Sequence, residues 1–333
     1  MGMLIDGKWQ DVWYDTSKSE GRFVRENARF RHWITPDGSA GPEGDGGFAA
    51  EPGRYHLYVS LACPWAHRTL IVRALKGLES LIDVSVVSPI MLDKGWTYNA
   101  TEGSTGDQVN NHDYHYQVYT TAQPGYSGRV TVPVLWDKQQ QCIVNNESSE
   151  IIRMFNHAFN GITDNQRDFY PVALRAQIDR WNDRIYPAVN NGVYRAGFAT
   201  TQQAYEEAYH ELFSELDHID QHLADNRYLL GETLTEADIR LFTTLIRFDA
   251  VYHGHFKCNR QRLEDFSNIP AYVRDIYQLD GVADTVDFDH IKTHYYASHH
   301  TINPTGVVPL GPDIDFTRAH GRERLLVSQS AVG

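Results

Sequence analysis

The sequence predicts an α/β domain followed by an all-helical one, and three features predict it. A strand, a helix opening at Cys63-Pro64 and a second short strand succeed one another from Tyr55, which is a βαβ unit. A Val-Pro strand and a further helix follow it, and beyond Tyr170 the apolar residues recur with the 3.6-residue period of long amphipathic helices. At 333 residues, 41% of them hydrophobic, the chain is long enough for two cores. The expected boundaries are an N-terminal extension over 1–50, the α/β domain over 51–165, the helical domain over 170–300 and an extended tail over 301–333.

Each element has its own signal. A glycine-rich stretch from Pro36 to Gly53 feeds Tyr55-His56-Leu57-Tyr58-Val59-Ser60, whose aromatic and β-branched residues read as a strand. Leu70, Ile71, Ala74, Leu75 and Leu78 then fall at helical spacing, with Gly77 placed to end the helix. Asp83 to Val87 reads as a short buried strand. The polar stretch from Asp93 to Arg129 is too long for a plain connection and reads as an insertion, helical around 113–121. Val130 to Trp136 is strand-like except at Pro133, which has no N–H to give a sheet and marks an edge or a special turn. Ile143-Val144 leads through Asn145-Asn146 into Glu147-Ser148, N-cap chemistry for the next helix. The first domain is expected to close between Ala158 and Asp168.

In the second half, helices are expected over 171–191, 202–225, 235–252, 269–279 and 287–298. Thr235-Glu236-Ala237-Asp238 is a capping box, in which the Asp238 carboxylate can reach back to the helix start. The Pro- and Gly-rich tail from Thr301 is expected to run extended.

Composition narrows the function classes. The formal charge of −13 and a pI near 5.6, with no long Lys/Arg run, argue against nucleic acid as a partner. No stretch has the apolar length of a membrane span, and the first residues lack a signal-peptide core, so the expectation is a soluble, cytoplasmic protein with no membrane partner. Gly2 does not start a myristoylation motif, because Asp6 stands where that motif needs Ser or Thr. Three widely spaced cysteines do not make a disulfide framework. Among sixteen histidines, the pairs His253/His255 and His299/His300 lack a cysteine or carboxylate at zinc spacing, so no metal is expected.

Cys63 is the residue with chemistry. A thiol attacks as the thiolate, whose ordinary pKa near ~8.5 leaves it mostly protonated at neutral pH. With Pro64 preset for the first helical position, Cys63 becomes the N-cap, where backbone amides and the positive end of the helix dipole face the sulfur. His67 and Arg68 add possible positive charge one turn on. Redox helices of this type carry a second cysteine three residues later, and here that position is Ala66, so an external thiol must complete the cycle. Cys142 and Cys258 open no recognisable helix and read as packing residues. The broken strand at Val132-Pro133 offers a backbone amide and carbonyl to an extended peptide, and a helix starting at Glu147-Ser148 suits an α-carboxylate. Both suit a γ-glutamyl tripeptide.

Strand, Cys63-Pro64-Trp65-Ala66, helix, Val132-Pro133, Glu147-Ser148 and then a helical domain with Thr235-Glu236-Ala237-Asp238 together resemble the cytosolic glutathione transferases, nearly end to end. More narrowly, Tyr55 to Arg68, Gly128 to Asp137, Asn190-Asn191-Gly192-Val193-Tyr194 and His294-Tyr295-Tyr296 through Pro304 resemble the Xi class, the glutathionyl-hydroquinone reductases. That resemblance implies a thioredoxin-like glutathione-binding domain before the helical one, a homodimer, and glutathione as co-substrate with neither metal nor nicotinamide. It implies reduction of glutathionyl-hydroquinones through a Cys63-glutathione disulfide, with oxidised glutathione as the second product. It also implies site residues: Trp96, Arg129, Val132, Glu147 and Ser148 for glutathione, and Tyr194, Tyr252 and Tyr295 for the hydroquinone, where a phenol can stack on an aryl group and donate its proton. Two alternatives stay open at this stage: an omega-like thiol transferase or dehydroascorbate reductase, and a non-catalytic interaction module on the same fold.

Overall fold

The computed structural model describes residues 2–325 of the chain. Its first elements arise where the sequence suggested only an extension. Met3–Ile5 (β1) and Lys8–Gln10 (β2) pair antiparallel, with Asp6 and Gly7 at positive φ of 48° and 74° in the two-residue turn. Asp-Gly is the dipeptide that such a turn demands, since both central residues must be left-handed. A side chain at position 7 would also collide with the Pro124 carbonyl.

This hairpin belongs to a unit formed by the chain up to Trp13, by Arg25–Arg167 and by Asp284–Val308. At its centre lies Tyr55–Val59 (β3), buried at every residue, followed by the helix Pro64–Leu75 (α1) and the strand Asp83–Val86 (β4), which pairs parallel to β3. The helix ends at Lys76, and Gly77 takes the left-handed φ of 66° expected past a helix C-terminus. The inserted segment contributes a helix over His115–Ala122 (α2) and a short strand Gly128–Arg129 (β5), which pairs with β1 rather than with the central sheet. Val134–Asp137 (β6) pairs antiparallel with β3, Cys142–Asn145 (β7) with β6, and Ser148–His157 (α3) packs on α1. The four-stranded order is therefore β4-β3-β6-β7. Of the strand expected over 130–136 only residues 134–136 form one, within β6; residues 130–133 lie outside both sheets around a cis Val132–Pro133 bond, because a ladder cannot run through a residue with no amide hydrogen.

Other segments of the chain pair with part of each outer strand of the central sheet. Along β7, the His32 amide donates to the Val144 carbonyl (3.0 Å) and the Asn146 amide to the Phe30 carbonyl (3.1 Å). Along β4, the Thr105 amide and the Ser104 hydroxyl both donate to the Val86 carbonyl, at 3.1 and 2.6 Å. Asn160–Thr163 (α4) closes the main segment of this unit.

The second unit takes Tyr14–Val24, Asp168–Ala283 and the chain from Pro309. Its helices are Arg175–Ile185 (α5), Gly192–Gly197 (α6), Gln202–His222 (α7), Glu236–Leu245 (α8) and Ile269–Tyr277 (α9). Two expected helices are interrupted. The one expected over 171–191 starts at Arg175 and passes into a π turn at Tyr186–Asn190, where Pro187 lacks an amide hydrogen and the Asn191 amide reaches five residues back to Tyr186. The one expected over 235–252 ends at Leu245 and resumes as a π turn over Phe248–Tyr252. The capping box forms: Asp238 accepts from the Thr235 amide at 2.9 Å, and also from the Leu229 amide and the Tyr272 hydroxyl at 2.8 and 2.9 Å. Complete burial nonetheless pushes that carboxyl up to about 6.

Phe288–Ser298 (α10), grouped by the sequence with the helical domain, packs in the first unit. Part of the tail is anchored on the second unit, where Arg322 donates to the carbonyls of Leu223 and Arg227, both at 3.0 Å. Among the described residues no helix is long and apolar enough to cross a membrane.

Candidate functional site

Cys63 stands where a short turn joins β3 to α1. Its amide donates to the Ser60 carbonyl (3.1 Å), its own carbonyl accepts from the His67 amide (3.0 Å), and its φ and ψ of −77° and 119° are those of an N-cap with Pro64 first in the helix. The first turn of α1 holds no acidic residue, so nothing there competes with an anion for the positive helix end. The side chain is half-buried, and its Sγ lies 3.6 Å from the Val132 carbonyl oxygen. Ala66, at the place of a resolving cysteine, is wholly buried.

Arg68 joins this helix start to the next one. Its guanidinium, 1% exposed, lies 4.6 Å from the Trp65 ring and donates to the Ser148 hydroxyl at 3.4 Å. A second guanidinium, that of Arg25, lies 4.9 Å from the same ring. Ser148 opens α3, and Glu147 is its N-cap: the Glu147 carboxylate accepts from the Ser149 amide and hydroxyl at 3.0 and 2.8 Å. The structure therefore brings Cys63, Val132 and the Glu147-Ser148 helix start into one neighbourhood. His67 is also buried, with Nε2 2.8 Å from the Thr285 hydroxyl.

The remaining expected residues lie as follows. Trp96, 5% exposed, stacks on His294 at 4.7 Å; Tyr295 follows His294 in α10, is 1% exposed, and meets His294 and His299 edge-on at 5.3 and 5.4 Å. Arg129 donates to the Val12 and Trp13 carbonyls, so part of its capacity ties down the N-terminal segment. In the helical unit, Tyr194 and Tyr252 have ring centroids 6.0 Å apart within an aromatic cluster that includes Phe256. Sequence reasoning missed His294, whose Nδ1 donates to the Pro89 carbonyl at 2.9 Å and whose ring holds Trp96 and Tyr295. Its only signal was its place beside Tyr295.

The other cysteines differ in kind. Burial pushes the Cys142 thiol up to about 11 and the wholly buried Cys258 thiol higher still. None of the three cysteines is in a disulfide. Among the described residues, no group of three or more His, Cys, Asp or Glu side chains could hold a metal ion.

Comparison with known proteins fits this geometry. Residues 62–158 match the glutathione S-transferase N-terminal domain and residues 202–275 the C-terminal domain. The chain is 57% identical over 324 residues to the glutathionyl-hydroquinone reductase YqjG of Escherichia coli K12, covering 97% of this chain and 99% of that one. It belongs to the Xi class of the glutathione transferases, the glutathionyl-hydroquinone reductases. Its likeness to the glutathionyl-hydroquinone reductase PcpF of Sphingobium chlorophenolicum is 54% over 312 residues, 94% of this chain and 96% of the other. The glutathione-bound structure of YqjG superposes with a TM-score of 0.89 over 97% of this chain and 99% of that one, at 55% identity. The Xi-class transferase of Natrialba magadii gives 0.88 at 49% identity over 97% of each chain. The fold class expected of this family member, a thioredoxin-like domain with a helical one, is the one observed.

Proposed function

We propose that this protein reduces glutathionyl-hydroquinones to hydroquinones at the expense of glutathione. The observation that carries the reading is Cys63: a half-buried sulfur at a helix N-terminus, 3.6 Å from the Val132 carbonyl, with alanine where a second cysteine would stand. The Cys63 thiolate attacks the sulfur of the aryl thioether. The carbon–sulfur bond breaks, its electron pair stays with the ring carbon, and that carbon takes a proton to give the hydroquinone. A glutathione thiolate then attacks the Cys63-glutathione disulfide, which releases oxidised glutathione and restores the Cys63 thiolate.

Glutathione would lie extended along Val132, its α-carboxylate toward the helix start at Glu147 and Ser148. Trp96 and Arg129 complete the glutathione set. Tyr194, Tyr252 and Tyr295 serve the aromatic half of the substrate, stacking on the ring and supplying its proton. The protein works as a cytoplasmic homodimer. Incubation with a glutathionyl-hydroquinone and glutathione tests the reading: hydroquinone is released, Cys63→Ala abolishes the release, and mass spectrometry finds the trapped glutathione on Cys63. Glutathione found instead on Cys142 or Cys258 overturns it.

A further inference from the structure

The backbone beside Cys63 is held from behind by the inserted segment. Thr131, immediately before Val132, offers a carbonyl that accepts from two side chains of α2: the Tyr119 hydroxyl at 2.9 Å and His115 Nε2 at 3.0 Å. A carbonyl only accepts, so Nε2 carries the proton. Burial pushes the His115 ring down to about 4, which keeps it neutral near pH 7, so Nδ1 accepts the Tyr98 hydroxyl at 2.8 Å. The Tyr119 oxygen is itself an acceptor for the Thr131 amide and for Asn146 Nδ2, both at 3.2 Å. Asn146 immediately precedes Glu147, and its Oδ1 accepts from the Phe30 amide at 3.1 Å. His115 and Tyr119 are wholly buried, and a buried polar group deprived of its partner is costly, so this arrangement is strongly determined.

One phenol oxygen thus bonds to the residue before Val132 and to the residue before Glu147. We propose that Tyr119, backed by His115 and Tyr98, is a positioning residue that fixes the spacing between the Val132 backbone and the Glu147-Ser148 helix start, and so sets affinity for the peptide of glutathione. The inserted segment is on this view the outer frame of the glutathione site. The inference rests on the function proposed above, because it assumes that glutathione spans those two segments.

The test uses the full-length protein and S-methylglutathione, which binds without reacting. Calorimetry on Tyr119→Phe is expected to show affinity about tenfold weaker than wild type, as loss of one buried hydrogen-bonding group allows. The rate of Cys63 alkylation by iodoacetamide stays within about twofold, since the sulfur is placed by α1 and not by α2. His115→Leu weakens binding similarly, His115→Gln, which can still donate to the Thr131 carbonyl, restores most of it, and Tyr98→Phe gives a smaller loss and serves where the others do not fold. Folded variants that bind within about twofold of wild type overturn the inference, as does an equal loss of binding and of Cys63 reactivity, which marks general loosening. Wild type that fails to bind S-methylglutathione overturns the functional reading and this inference with it. Wild type that binds, with unaffected variants, overturns the inference alone.

Discussion

Two helix starts in this protein use the same physics to opposite ends. At α8 the exposed amides and positive dipole end are closed by the protein's own carboxylate: Asp238 accepts from Thr235, Leu229 and Tyr272 and is sealed from water. At α1 the first turn carries no acid, and a half-buried cysteine takes the N-cap position. A capped end stabilises the fold, while an end without an internal anion retains electrostatic capacity for a reacting one. The difference teaches that the start of α1 can hold a reacting anion because no acid of its own turn occupies it, whereas α8 has that place filled.

The contrast can be broken by substitution. Cys63→Ala is expected to lower hydroquinone release by about a thousandfold or more, since no other nucleophile stands at that position, with the melting temperature little changed. In the untreated protein iodoacetamide should modify Cys63 first and Cys258 only after unfolding, as peptide mapping would show; early modification of Cys258 would contradict its burial. Asp238→Ala is expected to cost about 2–4 kcal/mol in urea unfolding, because it strips four buried donors of their acceptor, while activity per folded molecule is retained. Ser148→Ala, at the third helix start, should raise KM for glutathione about three- to tenfold and leave the kcat of saturated enzyme nearly unchanged.

A smaller effect is set by pH. Burial holds His56, His115 and His255 near 4 in the folded protein, below the ordinary histidine value of 6.5. The unfolded chain therefore binds more protons between those values, and the stability these groups confer is complete above about 6.5 and lost as pH falls toward 4. Urea midpoints measured across that interval should decline as pH falls, less steeply than three histidines alone would give because Asp238, held near 6, gains stability as pH falls; midpoints that rise instead would contradict the depressed histidines.

Much of the fold was legible because it is local. Tyr55–Val59 is a strand by residue type, α1 is announced by Cys63-Pro64 and its apolar spacing, and α8 by a four-residue box. The N-terminal hairpin was missed because three-residue strands are too short to show a period, although Asp6-Gly7 between Met-Leu-Ile and Lys-Trp-Gln was an available turn signal. The π turns were missed because an extra residue in a helical turn leaves the apolar pattern almost intact. Of the candidate site, Cys63 and Val132 were proposed from chemistry and turn geometry, and the two lie 3.6 Å apart. The Arg68–Ser148 bond and the Tyr119 contacts could not be read in this way, since partner choice across 80 or 27 residues has no local signature. The three tyrosines proposed for the hydroquinone were picked out only through family likeness, because a chain with 19 of them gives no single one distinction.

The partial covering of both outer strands of the central sheet has a consequence for assembly. Residues 30–32 lie along one margin and residues 104–105 against the last residue of the other, so the backbone groups at those places are already paired and cannot extend the ladder into a second copy. Self-association through those stretches would have to displace the covering segments first, whereas contacts made by side chains could be altered by surface substitutions that leave β3, α1 and the sulfur between them undisturbed.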